Sequence, residues 1–215
     1  MRSISVALTS LLLVAAFAPM PASAQDYKVI ATLQGDGATR AQALAVDAKA
    51  RRLYAGRQGG VDVYDIDGGK KVGSLALEGN VGGLVLAPDL RRGYVTGVDR
   101  GTVAIFDLDS LAVVNTVPSG GSEPRELEYE AKTGVVYVSN AKSGQLVALD
   151  ARTGASKGAV TLGGRLRQAS ADGRGHLFVA DEARDVLHVV DAASLKSQGT
   201  ISVWPGKAPT ALVND

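Results

Sequence analysis

The sequence predicts an all-β protein, a β-propeller of four-stranded antiparallel blades, and three observations predict it. One pattern of about 42 residues recurs four times. The runs inside each copy are short, rich in β-branched and aromatic residues, and separated by glycine-bearing turns. No stretch beyond the first two dozen residues sustains the 3.6-residue apolar spacing of a helix, so helix content close to nil is expected.

The first two dozen residues stand apart from the repeat. Arg2, an apolar run from Val6 to Phe17 and the small-residue site Ala22-Ser23-Ala24 before Gln25 have the make-up of a cleaved export signal. The run is well short of the roughly 20 residues a spanning helix needs, and Pro19 and Pro21 follow it. Residues 1–24 are therefore expected to be removed, leaving 25–215 as a periplasmic or secreted repeat domain with no membrane span.

Three markers hold the period. Acids closing the first strand of each copy are Asp47, Asp89, Glu130, Asp172 and Asp215, spaced 42, 41, 42 and 43. Aromatics of the second strand are Tyr54, Tyr94, Tyr137 and Phe178, spaced 40, 43 and 41. Acids after the third strand are Asp65, Asp107, Asp150 and Asp191, spaced 42, 43 and 41. These acids read as structural, because a short carboxylate accepts hydrogen bonds from turn N–H groups. A four-strand unit of this size cannot bury both faces alone, so copies must stack round an axis; the coils of a β-helix are shorter than this period. Blades are expected over about 41–80, 81–121, 122–164 and 165–207.

Two further strands keep the phase of the repeat. Tyr27–Leu33 reads as a fourth strand, like Val113–Val117, and Pro209–Asp215 as a first strand. Four complete blades plus two partial-blade strands make an open or incomplete propeller, for which a truncated reading frame is the expected reason. The alternative is a short form that closes by pairing with a second copy.

The segments Arg52-Leu53-Tyr54-Ala55-Gly56, Tyr94-Val95-Thr96-Gly97 and Tyr137-Val138-Ser139-Asn140, with Leu149-Asp150 and Thr153-Gly154, resemble the YVTN-type β-propeller repeats of bacteria. Gly121-Ser122-Glu123-Pro124 and Gly206-Lys207-Ala208-Pro209 resemble that family's G-x-x-P link between blades. The resemblance covers about 27–215 and implies relatives of about seven blades; it carries no shared catalytic motif. The fourth copy departs from it, with Phe178-Val179-Ala180-Asp181.

Composition narrows the chemistry. There are 23 Lys and Arg against 22 Asp and Glu, and loss of Arg2 balances them, which argues against bulk binding to nucleic acid or anionic membranes. Without cysteine there is no thiolate nucleophile, iron–sulfur ligation, Cys-based zinc site or C-x-x-C-H haem attachment. Neither the paired glycines of the blade links nor Gly35-Asp36-Gly37 has nucleotide-binding spacing. No catalytic residue, metal ligand or cofactor is assigned.

Candidate ligand contacts lie on the blade links and the tips between second and third strands. Arg57, Arg100, Lys142 and Arg184 put one cation near each tip, and Arg40, Arg125, Arg165 and Arg167 lie on the links, making an anion-binding rim. The bland reading is a set of solvated charges that contribute little to stability. His176 takes the slot of Arg52 and Arg92, an exposed one, and His188 the slot of Asp62, Ala104 and Val147, with no carboxylate partner evident by spacing. Trp204 is read as a packing plug.

A repeat without a non-repeating acid–base set reads as a non-enzymatic binding scaffold for an unknown protein or small anionic ligand, nucleic acid being disfavoured. One alternative is a metal-dependent lactonase-like hydrolase, which needs carboxylates converging on the axis. The innermost strands offer Glu126, Glu128 and Glu130, all from one copy. Another is a non-functional fragment.

Overall fold

Within the four repeats, the alternating runs between turn residues become strands. The computed structural model describes Thr32 and residues 40–212, the latter within a unit spanning 33–215. Blade 1 is β1 (Ala43–Asp47), β2 (Arg52–Arg57), β3 (Gly60–Asp65) and β4 (Lys71–Ala76); blade 2 is β5 (Val81–Ala87), β6 (Arg92–Gly97), β7 (Thr102–Asp107) and β8 (Val113–Pro118). Blade 3 is β9 (Pro124–Glu130), β10 (Val135–Asn140), β11 (Gln145–Asp150) and β12 (Ser156–Thr161); blade 4 is β13 (Leu166–Ala171), β14 (His176–Asp181), β15 (Val186–Asp191) and β16 (Ser197–Ser202). Every blade is an antiparallel meander in sequence order, so the fold is all-β and propeller-like. A 3₁₀ turn, Pro88–Leu90, is the one helical element among the described residues. Residues 1–24, expected to be an export signal, and most of Tyr27–Leu33 lie outside them, and 209–212 carry no strand.

The recurring acids hold the turns together. Asp107 Oδ1 accepts the N–H of Ser110 at 2.9 Å, Asp150 Oδ1 that of Thr153 at 2.9 Å, Asp191 Oδ1 that of Ser194 at 2.8 Å and Asp65 Oδ1 that of Gly68 at 2.6 Å. These bonds hold the Asp150 carboxyl below its ordinary range, led by the Thr153 N–H.

Blades stack through their faces. First strands run side by side, β1 on β5, β5 on β9 and β9 on β13, and among the described residues no such packing joins β13 back to β1. Apolar clusters fill the three boundaries: Tyr54, Val61 and Val63 against Leu84, Val95 and Phe106; Tyr94 and Ile105 against Leu127, Val136 and Val138; Tyr137 and Leu146 against Leu166, Leu177 and Val179. Each fully buried large side chain contributes roughly 1.5–3 kcal/mol.

A hydroxyl tie accompanies each boundary. The tyrosine of one blade donates to a carbonyl just past the third strand of the next: Tyr54 to Leu108 at 3.4 Å, Tyr94 to Ala151, and Tyr137 to Ala192 at 3.4 Å. Phe178, in the same slot of blade 4, has no such donor. Fourth strands are the outer edge, β16 being exposed at every residue.

Candidate functional site

The links between blades and the tips between second and third strands share one end of the molecule because backbone hydrogen bonds clamp them together. Gly59 N–H donates to Gly79 O, Val98 N–H to Asn80 O, Ala141 N–H to Glu123 O, Glu182 N–H to Arg165 O and Val203 N–H to Asp185 O, all at 2.9–3.2 Å. This end is a rigid rim.

The rim cations are largely engaged with acids of the same rim. Arg57 binds Asp62 through Nε at 2.5 Å and Nη2 at 3.0 Å, and Arg100 pairs with Glu78. Arg125 reaches Glu123 at 2.7 Å, and Arg165 reaches Glu123 at 3.2 Å and Glu182 at 3.4 Å. Arg167 stands 3.5 Å from Glu182, while Arg184 donates to Leu162 O at 2.7 Å and lies 3.7 Å from Asp181. Arg40 and Lys142 are exposed. A groove of about 260 Å³ beside the Arg100–Glu78 pair is lined by Leu77, Gly97, Thr102, Ala104 and Thr116.

The same two strand slots carry opposite chemistry in blades 1 and 4. In blade 1 the end of β2 holds Arg57 and the third residue of β3 holds Asp62, 1% exposed, which Lys71 also binds at 2.8 Å. Burial pushes the Asp62 carboxyl up, but hydrogen bonds and charge from Arg57 and Lys71 outweigh it and leave it below its ordinary range. In blade 4 the corresponding residues are a buried Asp181 and His188, with His188 Nε2 3.1 Å from Asp181 Oδ2. Asp181 Oδ1 accepts the N–H groups of Arg165 at 3.0 Å and Ala183 at 3.1 Å, so the carboxylate is satisfied. Gly164, at φ +71°, is required there because a Cβ would collide with that carboxylate.

Both histidines thus have aspartate partners that sequence spacing does not reveal. His176 Nδ1 lies 2.9 Å from Asp172 Oδ2, and the Asp172 carboxyl is held down at about 2, first by the His176 backbone N–H. The His188 partner is seven residues back, brought alongside by the β14–β15 hairpin. Trp204 is 81% exposed, not a packing plug, on a link whose Ala208 N–H donates to Asp185 Oδ1 at 2.7 Å.

The boundary between blades 3 and 4 differs from the others near this rim. Glu126, Glu128 and Glu130 alternate along β9 and share its face with Tyr137 and Ser139, toward blade 4. Glu128 accepts the Ala171 N–H at 3.3 Å and Glu130 accepts the Thr133 hydroxyl at 2.6 Å. Burial pushes the carboxyl of Glu126 up, against the pull of Arg167 and Arg125, and burial likewise raises Glu128. Buried side-chain atoms without a hydrogen-bond partner among the described residues are Ser139 Oγ, Asn140 Oδ1, Arg167 Nε and Glu182 Oε2; all but Asn140 Oδ1 belong to this boundary. No group of three or more His, Asp or Glu among the described residues is placed to hold a metal ion. Nor is any described helix long and apolar enough to cross a membrane.

No family model and no curated protein matches the sequence. Among solved structures the fold is similar to Kuenenia stuttgartiensis hydrazine synthase, at a TM-score of 0.67 and 16% identity. The match covers 79% of this chain and 52% of that one, so the chain spans about half the length of the protein it resembles. At that identity the similarity is one of fold: four four-stranded blades of a propeller-like all-β protein.

Proposed function

We propose that the protein is an exported, non-enzymatic binding scaffold of the YVTN-type repeat class, acting in the periplasm or outside the cell. The observation that carries this reading is the rim, where links and tips among the described residues are clamped together by backbone hydrogen bonds and most of the charged side chains are committed to one another. Such a platform positions ligand contacts without supplying an acid, a base and a nucleophile in mutual reach. Binding occurs at the rim end, with Arg40 and Lys142 as its exposed cations and Trp204 as its exposed aromatic. A small anion meets mainly paired guanidinium groups, so its binding is weak.

The test is turnover. Purified protein incubated with lactones, with and without added calcium or zinc, is expected to leave them intact; metal-stimulated hydrolysis would replace the scaffold by a hydrolase. Export is tested by the intact mass of the protein recovered outside the cytoplasm, which is expected to begin at Gln25. A recovered chain that retains Arg2 would contradict it.

A further inference from the structure

The links between blades carry their bulk in different places. Hydrogen bonds from the N–H groups of Leu77 to Gly59 O at 3.0 Å, Ser119 to Gly101 O at 2.8 Å and Leu162 to Gly144 O at 2.9 Å set the three links in one register. Glu78, Gly120 and Gly163 therefore share one link slot. In the second and third links glycine lies against a side chain of the blade before or after it. A Cβ on Gly120 would come within 3.0 Å of Val147 Cγ2, one on Gly121 within 2.7 Å of Asn140 Cγ, and one on Gly164 would collide with Asp181. Between blades 1 and 2 the bulk is exchanged. The strand slots that hold Asn140 and Val147 in blade 3, and Asp181 and His188 in blade 4, hold Gly97 and Ala104 in blade 2, while the link slot holds Glu78 in place of glycine.

That exchange opens the groove of about 260 Å³ between the first link and blade 2. Ala104, 5% exposed, and Leu77 give it an apolar floor continuous with the cluster between the two blades. Strand register sets Thr102 opposite Gly97 and Thr116 opposite Ala104, so both threonines lie on the groove face of blade 2. No described residue hydrogen-bonds either threonine hydroxyl. Arg100 and Glu78 stand paired at the mouth with their side chains 62% and 77% exposed, within reach of a ligand. The volume lies just below the usual ligand-site range of about 300–1,000 Å³, so the groove has room for one ring and not for an extended chain.

We propose that this groove binds the ring of a neutral monosaccharide, with its C–H face on Leu77 and Ala104 and its hydroxyls on Thr102, Thr116 and the Arg100–Glu78 pair. The inference rests on the scaffold reading and gives it a ligand class. Charge decides the class: Arg100 and Glu78 already neutralise each other, so an anion or a cation would have to draw one of them from its partner. A neutral ligand with adjacent hydroxyls accepts from the guanidinium and donates to the carboxylate while the pair stays intact. The two threonine hydroxyls each donate and accept, which suits further hydroxyls of the same ring.

The test is saturation-transfer NMR titration of the purified protein with D-glucose, D-galactose and D-mannose, alongside cyclohexanol, which has the ring without adjacent hydroxyls, and D-glucuronate, which adds a charge. At least one of the three sugars is expected to bind in the millimolar range, as a few neutral hydrogen bonds and a small apolar contact allow. Cyclohexanol and glucuronate should each bind at least about fivefold more weakly. Ala104→Val, which puts the residue of the blade 3 slot into the groove, should weaken sugar binding by at least about tenfold. Thr116→Val, an exposed change that removes only a hydroxyl, should weaken it about twofold to tenfold, and it carries the test if thermal melts show Ala104→Val unfolded. Silence from all three sugars at about 50 mM, well above the millimolar range, would overturn the proposal, as would equal binding of cyclohexanol or glucuronate, or undiminished binding by the folded variants. Metal-stimulated lactone turnover sinks the scaffold reading; a silent titration without turnover sinks this inference alone.

Discussion

The boundary between blades 2 and 3 and the boundary between blades 3 and 4 are built from the same strand slots, yet one is closed and the other is polar. At the first, glycine brings backbone to backbone and a threonine hydroxyl is consumed by Gly83 N–H. At the second, Glu126 replaces the glycine, the serine hydroxyl is orphaned, and Arg165 of blade 4 pairs with Glu123 on the link into blade 3. Apolar packing continues beneath both, through Leu127 and Val138 in one and Tyr137 and Leu177 in the other. A repeat can therefore keep its core while one boundary is re-specified at its rim end, and that is where a specific function can be grafted.

The largest effect expected from breaking this contrast is at Gly83. Gly83→Ala should cost about 1–3 kcal/mol in urea unfolding, because backbone atoms of blade 3 leave no room for the methyl group. Glu126→Ala at the equivalent position of blade 3 should cost less than about 0.5 kcal/mol. Equal costs at the two positions would erase the distinction between the boundaries.

Tip cations differ in the same manner. Arg57→Ser leaves the buried Asp62 with Lys71 as its remaining cation and should cost about 1–3 kcal/mol, whereas Arg100→Ser, in an exposed pair, should cost less than about 1 kcal/mol. Losses of the same size for both would show that burial of Asp62 contributes nothing.

The half-buried Glu126 and the buried Asp62 respond to pH with opposite sign. Burial raises Glu126, so its ionisation opposes folding above its folded pKa, and the penalty is relieved as pH falls through that value toward the ordinary 4.5. Glu126→Gln should therefore be more stable than the parent at pH 7, with the advantage vanishing in acid. The pull of Arg57 and Lys71 leaves Asp62 depressed, so its support is present above the ordinary 3.8 and lost only as pH falls through the lower folded value. Asp62→Asn should be less stable than the parent at pH 7, with the deficit persisting to lower pH than the Glu126→Gln advantage. Urea midpoints across pH measure both; advantages of the same sign would contradict the assignment.

The smallest expected effect is at the hydroxyl ties. Tyr94→Phe should cost about 1 kcal/mol in thermal unfolding and Tyr137→Phe less, since the Tyr137 hydroxyl reaches its acceptors only at 3.4 Å. A larger loss at Tyr137 would place its hydroxyl in a role the ties do not describe.

The blades are legible because turn acids and second-strand aromatics repeat with the period, and a side chain with one local job leaves a periodic trace. Asp107 and Asp150 show this, each accepting the N–H three residues on. The site is less legible because its partners meet through strand pairing and, for one pair, across a boundary. Charge counting finds Arg125, Arg165 and Arg167 but not their engagement with Glu123 and Glu182, of which the Arg165–Glu123 pair joins two blades. His188 and Asp181 meet only through hairpin register, and the sequence cannot distinguish the satisfied Thr96 from the orphaned Ser139, since the deciding N–H belongs to a bulged first strand. The rim cations are also unequal, because Arg57 faces a buried acid and Arg100 an exposed one.

A crystal structure of the unliganded protein at about 1.2 Å, where ordered solvent and many hydrogens become visible, addresses the contrast most directly. The account predicts Thr96 Oγ1 bonded to Gly83 N–H, with Ser139 Oγ and Arg167 Nε bonded to solvent or another non-protein molecule between blades 3 and 4. Finding both Ser139 Oγ and Arg167 Nε bonded to protein atoms, with β13 drawn against β9 as closely as β9 lies against β5, would contradict it.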